Sequence, residues 1–419
     1  MNKTRAEAND LIRLLLGDND VSESAARMFS EKRRWGTAVG LATAWRVIPQ
    51  LQRRLRVFHP PIPDASRDKL KELSVAAAAQ AAFMARCGAR VLLALGHAGV
   101  QAVAFKGLGL VGNLYQGAAE RMLQDCDILV SEESLSKTCA VLTELGFSPL
   151  IPVRLDDWLR HIENRVYRTH GYIVFVNDDA VEIDLHWRLG TGRPGPLKAE
   201  NIFRRSELAA LYGMKVPVAA PLDAIALTAH HAIRSAFEPA STVKDMCDLL
   251  RWWEVEPGRW RIGEAVEHFK LCGLSKPVLA LWKILAGINS RPAIARGARQ
   301  LEESVGREER AVADRFAELF WDQVEEGPVS KALLALGVAT PSSVWRFFSW
   351  RLTTLLNAPF RTLRRRVKRH EAPLGTRVGR LFRECAHLNR QRLTAIRALA
   401  KERRLFESSY EARDSHTRR

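Results

Sequence analysis

The chain has 419 residues, 47% of them hydrophobic, and a formal net charge of +17. That length suits two or three domains with cores of their own, and no run approaches the ~20 uninterrupted apolar residues of a membrane span. Six scattered cysteines without a CxxC pair make a zinc site or a disulfide framework unexpected and a reducing cytosol the expected compartment.

Residues 1–98 form the first region, predicted helical throughout. Its opening MNKTRAEANDLIRLLL carries acids and lacks a small-residue cleavage site, so no secretory signal is expected. Leu11, Ile12, Leu14, Leu15 and Leu16 begin one apolar face, and Trp45, Val47, Ile48 and Leu51 another. The Pro-Pro-Ile-Pro run at 60–63 separates these from an alanine-rich helix over Asp68 to Leu95, stopped by Gly96 and Gly99.

The period changes over 99–190. VQAVAF reads as a short strand, and LGLVGNLY as a helix that starts straight after Lys106-Gly107. DILV at 127–130 is a second strand end, and SEESLSKTCAVLTELGF a helix capped at Ser131. GYIVFV and VEIDLHW flank Asn177-Asp178-Asp179 and read as a hairpin. The pattern predicts an α+β fold, a small mixed-sheet core between helical regions. Helices resume over 191–340, with LDAIALTAHHAIRSAF and VKDMCDLLRWW, and a basic amphipathic segment fills 341–419.

The most informative residues are Asp125 and Asp127 in QDCDILV. Side chains alternate along a strand, so both carboxylates face one way while Cys126 and Ile128 face a core. Two acids at the start of a buried strand repel unless a cation lies between them. Glu182 and Asp184 share one face of a later strand, and pairing of the two strands would bring a third carboxylate alongside. Such a cluster can hold Mg²⁺, a hard ion that takes oxygen ligands and leaves positions for phosphate. Lys106, Gly107 and Gly109 sit where a strand enters a helix, a place suited to phosphate; a purely structural turn is the competing reading. Arg121 is placed either to reach β/γ-phosphates or to pair with Glu120 or Asp125. His186 shares the face of Asp184, and Trp187 faces the core. His230, His231, Arg234, Lys244, Asp245 and Asp248 are candidates for a wall opposite the carboxylates, or for a salt-bridge network.

FKGLGLVGNLYQGAAERMLQDCDILV, the following LxxLGF and EIDLHWRL together resemble the bacterial uncharacterised nucleotidyltransferase family, within the DNA polymerase β-like superfamily. The elements that match are Lys106-Gly107, Arg121, Asp125, Asp127, Val130, Asp184, His186 and Trp187, over roughly residues 100 to 190. The resemblance implies Asp125 and Asp127 as paired metal ligands and Asp184 as the third carboxylate. It places Lys106, Gly107 and the next helical turn on the triphosphate, although the wider superfamily has Gly-Ser or Gly-Gly where Lys-Gly stands here. The implied activity is Mg²⁺-dependent transfer of a nucleoside monophosphate from an NTP to an acceptor left open: RNA, protein or a small molecule.

Residues 345–419 carry 20 Lys and Arg against 6 Asp and Glu, fourteen of the chain's seventeen net positive charges. Arginine runs beside Phe347, Phe348, Trp350 and Leu352 suit RNA, an anionic membrane surface, or packing on the body with the charge left in water. The expected location is therefore cytoplasmic, with contact to the inner membrane face as one use of this segment. Two alternatives stand beside the enzyme: a non-catalytic polyanion-binding protein on the same fold, and a toxin-like enzyme that modifies tRNA ends.

Overall fold

The computed structural model describes residues 3–18, 32–58, 62–115, 117–150, 171–189, 198–234, 239–255 and 262–326, with Leu155 and Leu159 alone between. The chain divides into two compact units, Met1–Pro149 with Trp158–Pro328, and Leu150–Asp157 with Val329–Arg419. Nearly all of the second lies outside the described residues, and with it the basic segment expected over 341–419.

The first unit opens with helices α1 (Lys3–Leu16), α2 (Lys32–Ala44), α3 (Ile48–Phe58) and α4 (Asp64–His97). After the strands come α8 (Pro221–Arg234), α9 (Pro239–Val255), α10 (Ile262–Leu271), α11 (Ser275–Ala286), α12 (Pro292–Ser304) and α13 (Arg307–Glu326). One apolar core joins the two ends of this series. Leu11, Ile12 and Leu14 of α1 are buried in the same cluster as Leu279 and Leu281 of α11 and Phe320 of α13.

Helix α4 is long and apolar enough to cross a membrane by length and composition alone. Its buried residues nonetheless recur at helical spacing, Leu70, Ala77, Ala81, Met84, Ala85, Gly88, Leu92 and Leu95, as on a helix laid against a core. The expected helix over Asp68 to Leu95 is thus present and slightly longer. The one expected to open at Ser131 begins at Leu135; Ser131 closes a turn instead, its Oγ accepting the Ser134 N–H at 3.2 Å.

Among the described residues, seven strands make one mixed sheet in the order β3–β4–β5–β2–β1–β7–β6. They are β1 (Ala102–Ala104), β2 (Cys126–Val130), β3 (Ser148–Pro149), β4 (Tyr172–Val176), β5 (Glu182–His186), β6 (Glu207–Leu211) and β7 (Met214–Val218). Helices α5 (Lys106–Asn113), α6 (Leu135–Glu144) and α7 (Ala199–Arg205) connect them. The expected hairpin is β4–β5, antiparallel with Val174 opposite Asp184. The β6–β7 hairpin was not anticipated in the sequence. Tyr212 and Gly213 both have positive φ, 50° and 79°, the two-residue turn that suits the twist of paired strands. Sequence reading places no strand there because Ala209, Ala210 and Pro217 blur the alternation; Pro217 lies on β7, which pairs with β1 only at Val218, so no ladder partner on that side stands opposite it.

Strand β2 lies at the centre and is buried throughout. Its Cys126 faces α4, where a Cβ on Gly88 would come within 2.8 Å of the Cys126 Sγ. Alternation sends Asp127 to the opposite face of the sheet.

Candidate active site

The site starts from a register. Strand β2 pairs with β5 in parallel, Asp127 beside Asp184 and Leu129 beside His186, so the acids from two distant segments meet on one face. One donor atom each from Asp127, Asp184 and His186 lie within 4.8 Å of one another. Asp184 is half-buried, whereas Asp127 and His186 are each only 3% exposed.

A carboxylate so deeply buried needs partners. The Lys106 ammonium donates to Asp127 Oδ1 at 2.5 Å, and His186 Nε2 donates to the same oxygen at 2.9 Å. Burial alone would push the Asp127 carboxyl up; Lys106 foremost, with His186, overrides it and holds the group well below the usual carboxylate range. His186 is itself fixed by two rings, stacked on Tyr172 at 5.1 Å and edge-on to Phe105 at 4.9 Å.

Lys106 reaches Asp127 because of its backbone. Strand β1 ends in extended Phe105, whose N–H bonds the Asp127 carbonyl at 3.1 Å. Lys106 then turns to φ 49°, a left-handed conformation costing roughly 1–2 kcal/mol in a residue with a Cβ. Such strain persists only where surrounding contacts impose it. The glycines that follow serve packing. A Cβ on Gly107 would come within 2.8 Å of Arg121 Nη1 and 2.9 Å of Leu123 Cδ2, and one on Gly109 within 2.8 Å of the Ala104 carbonyl oxygen. Helix α5 therefore seats against the β1 backbone only with glycine at 109, while a Cβ at 107 would have to displace the ends of the Arg121 and Leu123 side chains.

These residues border a cavity of about 280 Å³. Lys106, Gly107, Arg121, Asp125 and Asp127 line one part of it, and Thr228 and His231 of α8 with Ser241, Lys244, Asp245 and Asp248 of α9 line another. Arg46 adds a further cation at the rim, again from a left-handed position, φ 63°. The candidate site residues thus converge: five line the cavity, and Asp184 adjoins it through Asp127. Asp125 and Glu182, both half-buried, lie outside the group of three that converges on one point.

Arg121 is buried, and its guanidinium grips Asp248 with two arms, Nε to Oδ1 at 3.0 Å and Nη2 to Oδ2 at 2.9 Å. Tyr115 donates its hydroxyl to the same Oδ1. Burial would lower the Arg121 pKa, but Asp248 raises it, so the guanidinium stays charged. Three residues earlier on the same face, Asp245 accepts from His231 Nδ1 at 2.8 Å and has the Lys244 ammonium 3.7 Å away. Burial works against the Asp245 carboxylate; His231 and Lys244 prevail and keep its pKa lowered. Of the residues considered for that wall, His231, Lys244, Asp245 and Asp248 line the cavity and are ion-paired as the competing salt-bridge reading has it; His230 is not among the lining residues, and the side chain of Arg234 lies outside the described residues. Asp248 and Tyr115 were undervalued or missed; spacing three apart of Asp245 and Asp248 on one helix face was the available signal.

The donor set fits a hard divalent cation. Asp127 and Asp184 offer oxygens side by side, Asp125 lines the same cavity, and Lys106 already shows that this face attracts positive charge.

The family model described as an uncharacterised nucleotidyltransferase matches residues 31–286, a span holding the whole sheet and every cavity-lining residue named above. No curated protein matches the chain.

Proposed function

Since the chain belongs to the uncharacterised nucleotidyltransferase family, we propose that it moves a nucleoside monophosphate from an NTP to an acceptor hydroxyl or phosphate, releasing pyrophosphate. The observation that carries this reading is the β2–β5 register, which sets Asp127 beside Asp184 at a polar cavity bordered by Lys106 and Arg121. Mg²⁺ would be held by Asp127 and Asp184, with Asp125 as the third carboxylate; bound there, it supplies positive charge to the phosphate oxygens. The remaining work is positional and electrostatic, as phosphoryl chemistry requires.

Lys106, on a long stem, has a point charge to offer the triphosphate once Asp127 is otherwise neutralised. Arg121 is pinned by Asp248 and presents a fixed positive edge at the cavity wall rather than a mobile finger. His186 keeps Asp127 oriented. Asp184, less enclosed than Asp127, is assigned the proton of an attacking hydroxyl. Lys244, His231 and Arg46 are left to face the rest of the nucleotide or the acceptor.

The test is label transfer. Wild type and the Asp125→Ala/Asp127→Ala variant are incubated with each α-³²P-labelled NTP, Mg²⁺ and desalted cell extract, and the products are digested with nuclease or protease. Transfer by the wild type alone supports the reading, and the digestion names the acceptor class, tRNA ends included. No transfer with any NTP favours a second reading, a polyanion-binding protein on this fold. That reading draws on the concentration of basic residues over 345–419, which would bring the protein to RNA or an anionic membrane surface, and it predicts that only removal of that segment abolishes binding.

A further inference from the structure

We propose that Asp223, His268 and Cys272 form a second metal site, built for a transition divalent ion such as Zn²⁺. Asp223 sits in the first turn of α8 with no exposed surface, and His268 in the last turn of α10. Cys272 lies one residue past α10, yet its N–H bonds the His268 carbonyl at 2.9 Å, so the helical turn continues. Imidazole and thiol are therefore four apart on one face, a spacing at which helices present paired metal ligands.

One donor atom from each of the three lies within 4.8 Å of the others. His268 Nε2 stands 3.0 Å from an Asp223 oxygen and 3.5 Å from Cys272 Sγ. A tetrahedral zinc ion with its usual bond lengths spaces such donors about 3.3–3.7 Å apart. Small rotations would bring these groups onto three corners, leaving the fourth to water or another ligand. Arg205 holds the same carboxylate, Nε to Oδ2 at 2.9 Å and Nη2 to Oδ1 at 2.7 Å, and Oδ1 is also the oxygen that His268 Nε2 reaches. It is the kind of outer partner that orients a ligating carboxylate, and a metal taking the place of the His268 proton would use the second lone pair of Oδ1, which His268 now occupies.

Thiolate with imidazole selects zinc-like ions, whereas the oxygens of Asp127 and Asp184 suit Mg²⁺. The two sites are thus chemically separate, and the inference does not depend on the proposed reaction. Scattered cysteines argued against a zinc site in the sequence; this one needs a single cysteine, and its aspartate comes from another helix. A bound ion would tie α10 to α8, the helix that brings Thr228 and His231 to the cavity.

The experiment uses the full chain, stripped by chelator and titrated with Co²⁺. The expected result is a thiolate-to-cobalt charge-transfer band that saturates, is bleached by Zn²⁺, disappears in Cys272→Ala and His268→Gln, and survives in Asp127→Asn. Zn²⁺ should also raise the thermal midpoint of the wild type and leave that of Cys272→Ala unmoved. Should Cys272→Ala not fold, Cys272→Ser is read in its place. A wild type without the band, or a band undiminished in the folded variants, overturns the proposal.

Discussion

Two pairs of aspartates border the same cavity, and they differ in what neutralises them. On helix α9, Asp245 and Asp248 are three residues apart; Asp248 is bound to buried Arg121 and Tyr115, and Asp245 to His231 on the neighbouring helix. At strand β2, Asp125 and Asp127 are two apart, and Asp127 is held by Lys106 on a flexible stem together with the buried His186. A carboxylate locked to a buried guanidinium is a structural element, because freeing it strands a charge. A carboxylate held by a lysine can exchange that cation for another. On the proposed function, the helix pair builds the wall and the strand pair is left for chemistry.

This contrast can be broken from either side. Asp127→Asn keeps the shape and removes the charge; label transfer should fall by about 10³ or more, with the thermal midpoint shifted by only a few degrees. Asp248→Ala should do the reverse. It leaves Arg121 buried and unpaired, and urea unfolding should show a loss of about 3–5 kcal/mol. Gly107→Ala forces a methyl toward Arg121 and Leu123, and the same measurement should give about 1–3 kcal/mol.

The smallest effect is in acid. The Asp245 pKa is lowered by His231 and Lys244 against burial, so its contribution to stability is present above the ordinary carboxylate range and lost as the pH falls below about 4. Thermal midpoints of the wild type should therefore drop more steeply there than those of Asp245→Asn, by an amount on the order of 1 kcal/mol. Equal slopes would mean that the His231–Asp245 bond adds nothing.

Legibility followed sequence distance. The β4–β5 hairpin could be read from alternation in GYIVFV and EIDLHW, and the convergence of Asp127 with Asp184 followed once β5 was allowed to pair with β2. Cys126 and Trp187 fell on the core side as alternation requires, each nearly fully buried. What stayed hidden depends on packing between remote helices. Nothing near Arg121 announces that its partner is Asp248 in α9, or near Gly107 that a Cβ there would meet Arg121. The edge hairpin β6–β7 was obscured by alanines and Pro217, although Tyr212-Gly213 was a usable turn signal.

The most direct test of the account is Mn²⁺ binding followed by electron paramagnetic resonance, with Mg²⁺ as competitor, on wild type, Asp127→Asn and Asp248→Asn. The account predicts a Mg²⁺-displaceable site in the wild type that persists in folded Asp248→Asn and is lost in Asp127→Asn. Undiminished binding in Asp127→Asn, or loss confined to Asp248→Asn, would contradict it.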